Sequence, residues 1–528
     1  MKAFYTGQMA KARKKGNKKA KRKAEKPVYT TTDGLADSDP PPINMKMPTS
    51  LAEALGTPGA PQFQEAWNKE IYGMEQRGVW EIVPITAECL PLVGSKAIFD
   101  IKRDAAGNVD RFKARVVGHG FSQVDGLNFD SSDIYSPVVT IVVVRMLLTI
   151  FAAVADVTFH HLDISQAYLW ATLDTPVYMK PVAGMNVPTG HCLKLLRALY
   201  GLRGSSTAWY RTFVAALMAA PLCYIQSQFD QCVFYCSRGA EFLILLLFVD
   251  DMLIFTNSGR LKKQLVDQCN KLFAVDDRGE AKWFLAIQID RNIAEAYVDL
   301  SQERYCEDLV RKALGDDPVP VKAPETKEVL SKAQCPQNAE EIAEMAHFPF
   351  REHAGRLMYN MTMVRPCIMH ALKCVLQFSS NPGPAHKRAL LRIIRYVAGC
   401  TGAKLRLHGN RDYRVTLGVI CDADDANNPD HRRSINCVFS FLGEYFVKID
   451  GTCRIGKPAF FAWNSAWTHY VAESSCVSEL YAIATALRSV KFTRILRSSS
   501  SSSSQAPAPC GFRVSSSSHT HTHTHTCT

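Results

Sequence analysis

Phe242-Leu-Ile-Leu-Leu-Leu-Phe248-Val249-Asp250-Asp251-Met252-Leu-Ile-Phe255 sets two adjacent carboxylates inside one of the most apolar stretches of the chain. The runs Leu243 to Phe248 and Met252 to Phe255 read as the two strands of a hairpin, too short to span a bilayer and too apolar to face water. Two anions buried side by side are costly unless cations neutralise them. Acid at this tip therefore points to a divalent metal; Asp as a plain turn former is the competing reading. A further acid upstream shifts the balance. Asp163 lies in His160-His-Leu-Asp163-Ile-Ser-Gln-Ala-Tyr-Leu169, a strand running into a helix. Three carboxylates converging from two strands suit two Mg²⁺ ions, one activating a 3′-hydroxyl and the other steadying a leaving pyrophosphate. A site of that kind would transfer nucleotides.

The rest of the composition agrees without deciding anything. At 528 residues the chain exceeds a single core, and its formal charge of +12 favours a polyanionic partner. Much of the excess sits between Lys11 and Lys26, where ten Lys and Arg face Glu25 alone. That run reads as a disordered basic arm for nucleic acid or nuclear import, with a solvated tail as the alternative. The longest spanning candidate, Val138 to Val157, is interrupted by Arg145 and Asp156, and no secretory signal is found. None of the 17 Cys forms a Cys-x-x-Cys pair, so neither a zinc knuckle nor a redox motif is indicated.

Several further blocks run in order from about Trp67 to Leu487. They include Ala66-Trp67 with Glu70, Gly78-Val-Trp-Glu-Ile-Val-Pro84, Lys102-Arg103, Arg111-Phe-Lys-Ala-Arg-Val-Val117, and Tyr135-Ser-Pro-Val-Val139. After the Asp163 block come Leu199-Tyr-Gly-Leu202, Ala208-Trp209-Tyr210, Arg365-Pro366, Asp422-Ala-Asp424 and Ser478-Glu-Leu-Tyr-Ala482. With these blocks the chain resembles the reverse transcriptase region of a copia-type long-terminal-repeat retrotransposon. Other palm polymerases, telomerase-type or group II intron enzymes, are disfavoured by Trp80, Ser136-Pro137 and Asp422-Ala-Asp424.

The resemblance implies an α+β right-hand polymerase with fingers, thumb and an antiparallel palm sheet, followed by an incomplete ribonuclease H-like α/β domain. The expected divisions are a basic, Pro-rich arm (1–62), fingers and palm (63–300), thumb-like helices (301–348), a connection (349–412), the truncated ribonuclease H-like domain (413–497) and a low-complexity tail (498–528). Asp163, Asp250 and Asp251 become the catalytic, metal-binding triad for Mg²⁺ or Mn²⁺. Lys102, Lys113 and Arg115 fall among the cations that meet the triphosphate of a dNTP. Alternation along Arg111 to Arg115 puts its cations on one face of a strand; a solvated edge is the alternative. Tyr168 takes the position under the sugar that excludes a 2′-hydroxyl, and Gly201 belongs to a template- and nucleotide-gripping segment. Implied partners are an RNA or DNA template with primer, and no membrane. The implied location is a cytoplasmic virus-like particle, the nucleus, or both.

Departures from the family pattern leave a second reading open. Arg203-Gly204-Ser205-Ser206-Thr207 stands where a Lys-Gln-Ala-Pro-Arg-like run is expected, Ala286 stands for a Gly, and Cys367 for an Asp. In the last domain Asp422 and Glu479 match two catalytic acids of ribonuclease H, but no Asp or Glu follows Glu479. Ser498 to Ser504 and the His-Thr alternation from His519 to Thr526 are expected to build no core, leaving an inactive domain with an open sheet edge. No protease, integrase or nucleocapsid motif is found. The alternative to a polymerase is thus an inactive remnant that only binds nucleic acid.

Overall fold

The computed structural model describes residues 46–103, 109–409, 416–424, 428–447, 453–468, 471–472 and 474–486, with the backbone of 512–516 and 524–527. The basic run Lys11 to Lys26 and the serine run Ser498 to Ser504 lie outside the described residues.

The first lobe packs helix α1 (Ala60–Gln76) and strand β1 (Trp80–Pro84) with the hairpin β2 (Ser95–Arg103) and β3 (Val109–Gly118). Alternation decides its faces. Ala97 and Phe99 of β2 and Ala114 and Val116 of β3 are buried against Phe63 and Trp67 of α1, so Arg111, Lys113 and Arg115 fall on the other side. The Phe63 ring meets Phe99 and Phe112 edge to face at 5.5 and 4.8 Å, a geometry worth about 1 kcal/mol per pair beyond the buried area.

Next come α2 (Ile141–Phe151), β4 (Thr158–Ile164), β5 (Thr172–Met179), β6 (His191–Arg197), α3 (Ser205–Met218), β7 (Ile225–Gln226), β8 (Val233–Arg238), β9 (Glu241–Phe248), β10 (Asp251–Thr256), α4 (Gly259–Cys269) and β11 (Val275–Glu280). Strands β11-β4-β10-β9-β8-β7 form one antiparallel sheet, in that order. The hairpin expected from the sequence is β9 and β10. Leu147 and Leu148 of α2, Phe213 and Leu217 of α3, and Leu261 and Leu265 of α4 share a core with Leu243, Leu245 to Leu247 and Met252 to Phe255. Unbroken apolar runs, rather than alternating ones, suit strands covered on both faces. Each such side chain contributes about 2 kcal/mol on burial.

A small sheet follows, β12 (Trp283–Phe284), β13 (Ile287–Asn292) and β14 (Tyr297–Ser301), then helices α5 (Glu303–Leu314), α6 (Ala339–Ala346), α7 (Phe350–Met363), α8 (Met369–Leu376) and α9 (Pro384–Ala398); β15 (Leu405–His408) closes the sheet beside β14. Leu309 of α5, Leu357 of α7, Leu372 of α8 and Leu390, Ile394 and Val397 of α9 meet in one core, so residues on both sides of position 348 contribute to it. The last sheet carries β16 (Thr416–Ala423), β17 (Ile435–Val447) and β18 (Cys453–Trp467), with residues 475–486 helical. Arg145 of α2 joins three regions. Buried, it donates to the Thr362 and Met363 carbonyls at 2.9 and 3.0 Å and lies 3.8 Å from the Trp463 ring centroid. Burial pulls its pKa down to about 9.

The open sheet edge expected of the last domain is not found at β16. Backbone strands β19 (Phe512–Ser516) and β20 (Thr524–Cys527) extend this sheet, β19 running parallel to β16, so the β16 edge is paired. Ladder hydrogen bonds require backbone groups and not an apolar side-chain pattern, and a low-complexity tail can supply them. Among the described residues no helix is long and apolar enough to cross a membrane.

Candidate active site

Asp163 and Asp251 are direct partners across β4 and β10. The β9–β10 hairpin closes with Phe248 opposite Asp251, leaving Val249 and Asp250 as a two-residue turn. Val249 has φ +61°, a left-handed conformation that a β-branched residue adopts only under constraint. The constraint is visible. Trp209, fully buried on α3, donates its indole N–H to the Val249 carbonyl at 2.7 Å, and Ile164 N–H donates to the Asp250 carbonyl at 3.0 Å. The start of α3 is fixed in turn by Ser205, whose hydroxyl accepts from Leu199 N–H and donates to Leu199 O. The unusual Arg203 to Thr207 segment is thus occupied with internal bonds: Arg203 Nε donates to Gly120 O at 2.7 Å, and Thr207 Oγ1 to Tyr135 O at 3.1 Å.

The two carboxylates interact directly. Burial pushes the Asp163 carboxyl up to about 6, opposed by Arg278 and assisted by the charges of Asp251 and Asp250. Burial also works to raise Asp251, yet the His161 ring, bonded to it at 3.2 Å, and Arg278 leave it below the usual range. Arg278, on the edge strand β11, places Nη2 3.0 Å from Asp163 Oδ2, Nη1 3.7 Å from Asp251 Oδ1 and Nε 3.4 Å from Asp276 Oδ2. Asp276 is itself the cross-strand partner of Asp163, so three acids form a row over β11, β4 and β10. Sequence reading missed Asp276, Arg278 and His161. His161 was legible, because period-two alternation from Asp163 puts it on the same face. Arg278 was not: its reach depends on a register shift between Asp277 and Glu280.

Tyr168 follows Asp163 on a short helical turn, Ala167–Trp170. Burial, then the Asp250 charge, lifts its hydroxyl to about 12. Its ring centroid is 5.0 Å from that of Tyr200, and the Arg115 guanidinium lies 5.5 Å from the Tyr200 ring. Lys113 is partly buried, and desolvation followed by Arg115, Arg111 and Lys102 lowers its pKa. Lys102 stands opposite Arg111 on β2 and pairs with Asp100. Beneath them Glu70 accepts from Gln166 Nε2 at 2.8 Å. Gly201 has φ +87°, and a Cβ there would strike the Gly118 carbonyl and Val117. The close approach it permits is to β3 of its own chain.

Divalent ions fit the chemistry of the Asp163–Asp251 pair, since two abutting, desolvated carboxylates already draw in a guanidinium. Among the described residues no three acidic, His or Cys side chains gather tightly enough to enclose an ion. Beside the pair, a cavity of about 560 Å³ is lined by Asp251, Arg278, Trp283, Tyr305 and Tyr359. Beside the last sheet, Glu479 of the helical stretch 475–486 lies against Asp422 of β16, and burial and that neighbouring charge raise its pKa.

Residues 77–327 match the family described as reverse transcriptase (RNA-dependent DNA polymerase). Over 421 residues the chain is 34% identical to the retrovirus-related Pol polyprotein from transposon TNT 1-94 of Nicotiana tabacum, covering 79% of this chain and 31% of that protein. It is 28% identical to the corresponding polyprotein from transposon RE1 of Arabidopsis thaliana, covering 80% and 27%. The chain thus spans less than a third of the length of these relatives. A solved foamy viral protease-reverse transcriptase in complex with dsDNA aligns with 87% of this chain and 83% of its own, at 10% identity and a TM-score of 0.40. Residues 77–327 thus match the reverse transcriptase family, and about four fifths of the chain is similar to Pol polyproteins of plant transposons.

Proposed function

We propose that the chain is an RNA-directed DNA polymerase that adds dNTPs to a primer 3′-hydroxyl on an RNA or DNA template. The observation that carries this reading is the meeting of Asp163 and Asp251 across β4 and β10, with Asp250 in the turn beside them. These three residues would hold Mg²⁺ or Mn²⁺, with water and phosphate oxygens completing the coordination shell. Bound there, such ions would activate the 3′-hydroxyl and stabilise charge on the pyrophosphate.

The chain's own groups do the rest. Arg115 and Lys113 meet the triphosphate; among the described residues the buried Arg115 Nε has no hydrogen-bond partner, so donor capacity there is unspent. Desolvation already disfavours the Lys113 charge, and a polyanion restores it. Tyr168, kept neutral, lies under the sugar and excludes a 2′-hydroxyl by its bulk. Asp422 and Glu479 lack the further acids of ribonuclease H, and we read that activity as lost.

The test is primer extension on a primed RNA template with dNTPs and Mg²⁺, comparing the parent with an Asp250→Asn, Asp251→Asn double variant. Extension by the parent alone is expected. No extension by a folded, template-binding parent would replace this reading with that of a binding remnant.

A further inference from the structure

Arg278 is a charged side chain bonded to the acidic pair that nucleotidyl transfer does not call for. Its guanidinium bridges Asp163 and Asp251 from the edge strand, and Asp276, on the same strand and 60% exposed, holds its Nε. The side chain is itself 40% exposed and borders the cavity beside Asp251. It therefore has solvent and space to move into. The backbone around it is irregular: β11 slips register between Asp277 and Glu280, and Gly279 has φ +75°.

We propose that Arg278 is a built-in counter-ion that takes the cation position between Asp163 and Asp251, so that a divalent ion binds only by exchanging with it. The inference rests on the metal-site reading above. A guanidinium cannot give up its proton at ordinary pH, so it neutralises the pair with a fixed single charge. A divalent ion attracts both carboxylates more strongly but is repelled by Arg278 at the same distance. Exchange resolves the conflict, and Asp276 gives the displaced guanidinium a partner at the rim. Without nucleic acid the pair stays compensated, and ion occupancy is set by competition.

The experiment is Mn²⁺ titration of the full-length chain, followed by the electron paramagnetic resonance signal of free Mn²⁺, at 0.15 M salt. Parent, Arg278→Gln, Arg278→Lys and Asp163→Asn proteins are compared after circular dichroism confirms folding. Arg278→Gln removes the competing charge and is expected to bind Mn²⁺ about tenfold more tightly, the size of one partly screened ion pair. Arg278→Lys keeps the charge and should stay within about threefold of the parent. Equal or weaker binding by Arg278→Gln, with binding lost in Asp163→Asn, would overturn the exchange while leaving the metal site standing. Binding that Asp163→Asn leaves unchanged would overturn both.

Discussion

At Asp163 and Asp251 two carboxylates meet across adjacent strands with Arg278 and His161 bonded to them. At Asp422 and Glu479 two carboxylates meet between a strand and a helix, and among the described residues neither forms an ion pair. The first pair is held in a partly ionised state by the Arg278 guanidinium and the hydrogen bond to His161. In the second, burial and like charge push Glu479 toward its neutral form. Paired acids are costly in both places, but only the first sits on a framework built to keep them: a strained turn, a buried indole below it and a guanidinium above it.

The largest difference between the two pairs should be catalytic. Asp251→Asn is expected to lower primer extension at least about a thousandfold, on the scale of losing a principal electrostatic contact in the transition state. Asp422→Asn should leave the rate within about twofold of the parent. Steady-state extension rates on one primed template measure both, and equal losses would erase the distinction.

A smaller effect should follow from loosening the framework of the first pair. Trp209→Phe removes the donor to the Val249 carbonyl while keeping an aromatic ring. A buried carbonyl left unpaired costs about 1–3 kcal/mol, and the freed turn lets Asp250 and Asp251 wander from their strand positions. Lower thermal stability and a kcat reduced about tenfold, with KM for dNTP little changed, are expected. An unchanged kcat would mean that the turn holds its shape without the indole.

The fold was legible wherever hydrophobic pattern and distance along the chain were enough. The Phe242 to Phe255 hairpin, the Asp163 strand and the alternating face of Arg111 to Arg115 all follow from periodicity. Arg278 and Asp276 were not legible, because their place depends on which strand flanks β4 and on a slip in register. The Arg203 to Thr207 segment read as a loss of binding residues. Its contacts add a structural part that the sequence did not reveal: Ser205 and Arg203 brace the start of α3 and the end of the first lobe. Strand pairing in the tail escaped for a related reason, since backbone ladders leave no signature in Ser and Thr repeats.

Ala286 tests a departure beside the first pair. Phe284 pairs with Ile287, leaving Leu285 and Ala286 as a two-residue turn with φ +52° and +56°. Two left-handed residues in such a turn favour Gly at the second position. Tyr359 donates its hydroxyl to the Leu285 carbonyl at 2.5 Å, tying the turn to α7. Ala286→Gly should relieve strain and raise stability by up to about 1 kcal/mol, offset in part by greater freedom in the unfolded chain. The thermal midpoint is the measurement, and a lower midpoint would mean that the Ala286 methyl contributes packing beyond its strain.

Glu479→Gln probes the second pair and should have the smallest effect. Its folded pKa is raised by burial and then by Asp422, so the folded chain binds this proton more tightly than the unfolded chain does. Between the unfolded and folded values the native state carries the extra proton, and stability falls as pH rises through that window. Below the window both states are protonated and glutamine changes nothing. Above it glutamine removes a charge repelled by Asp422, and a gain of no more than about 0.5 kcal/mol is expected at this partly exposed position. Midpoints of the two proteins should therefore coincide near pH 4 and separate, with the variant higher, near pH 7.5. The reverse order at pH 7.5 would mean that a cation compensates this pair too, and the contrast with Asp163 and Asp251 would reduce to the identity of that cation.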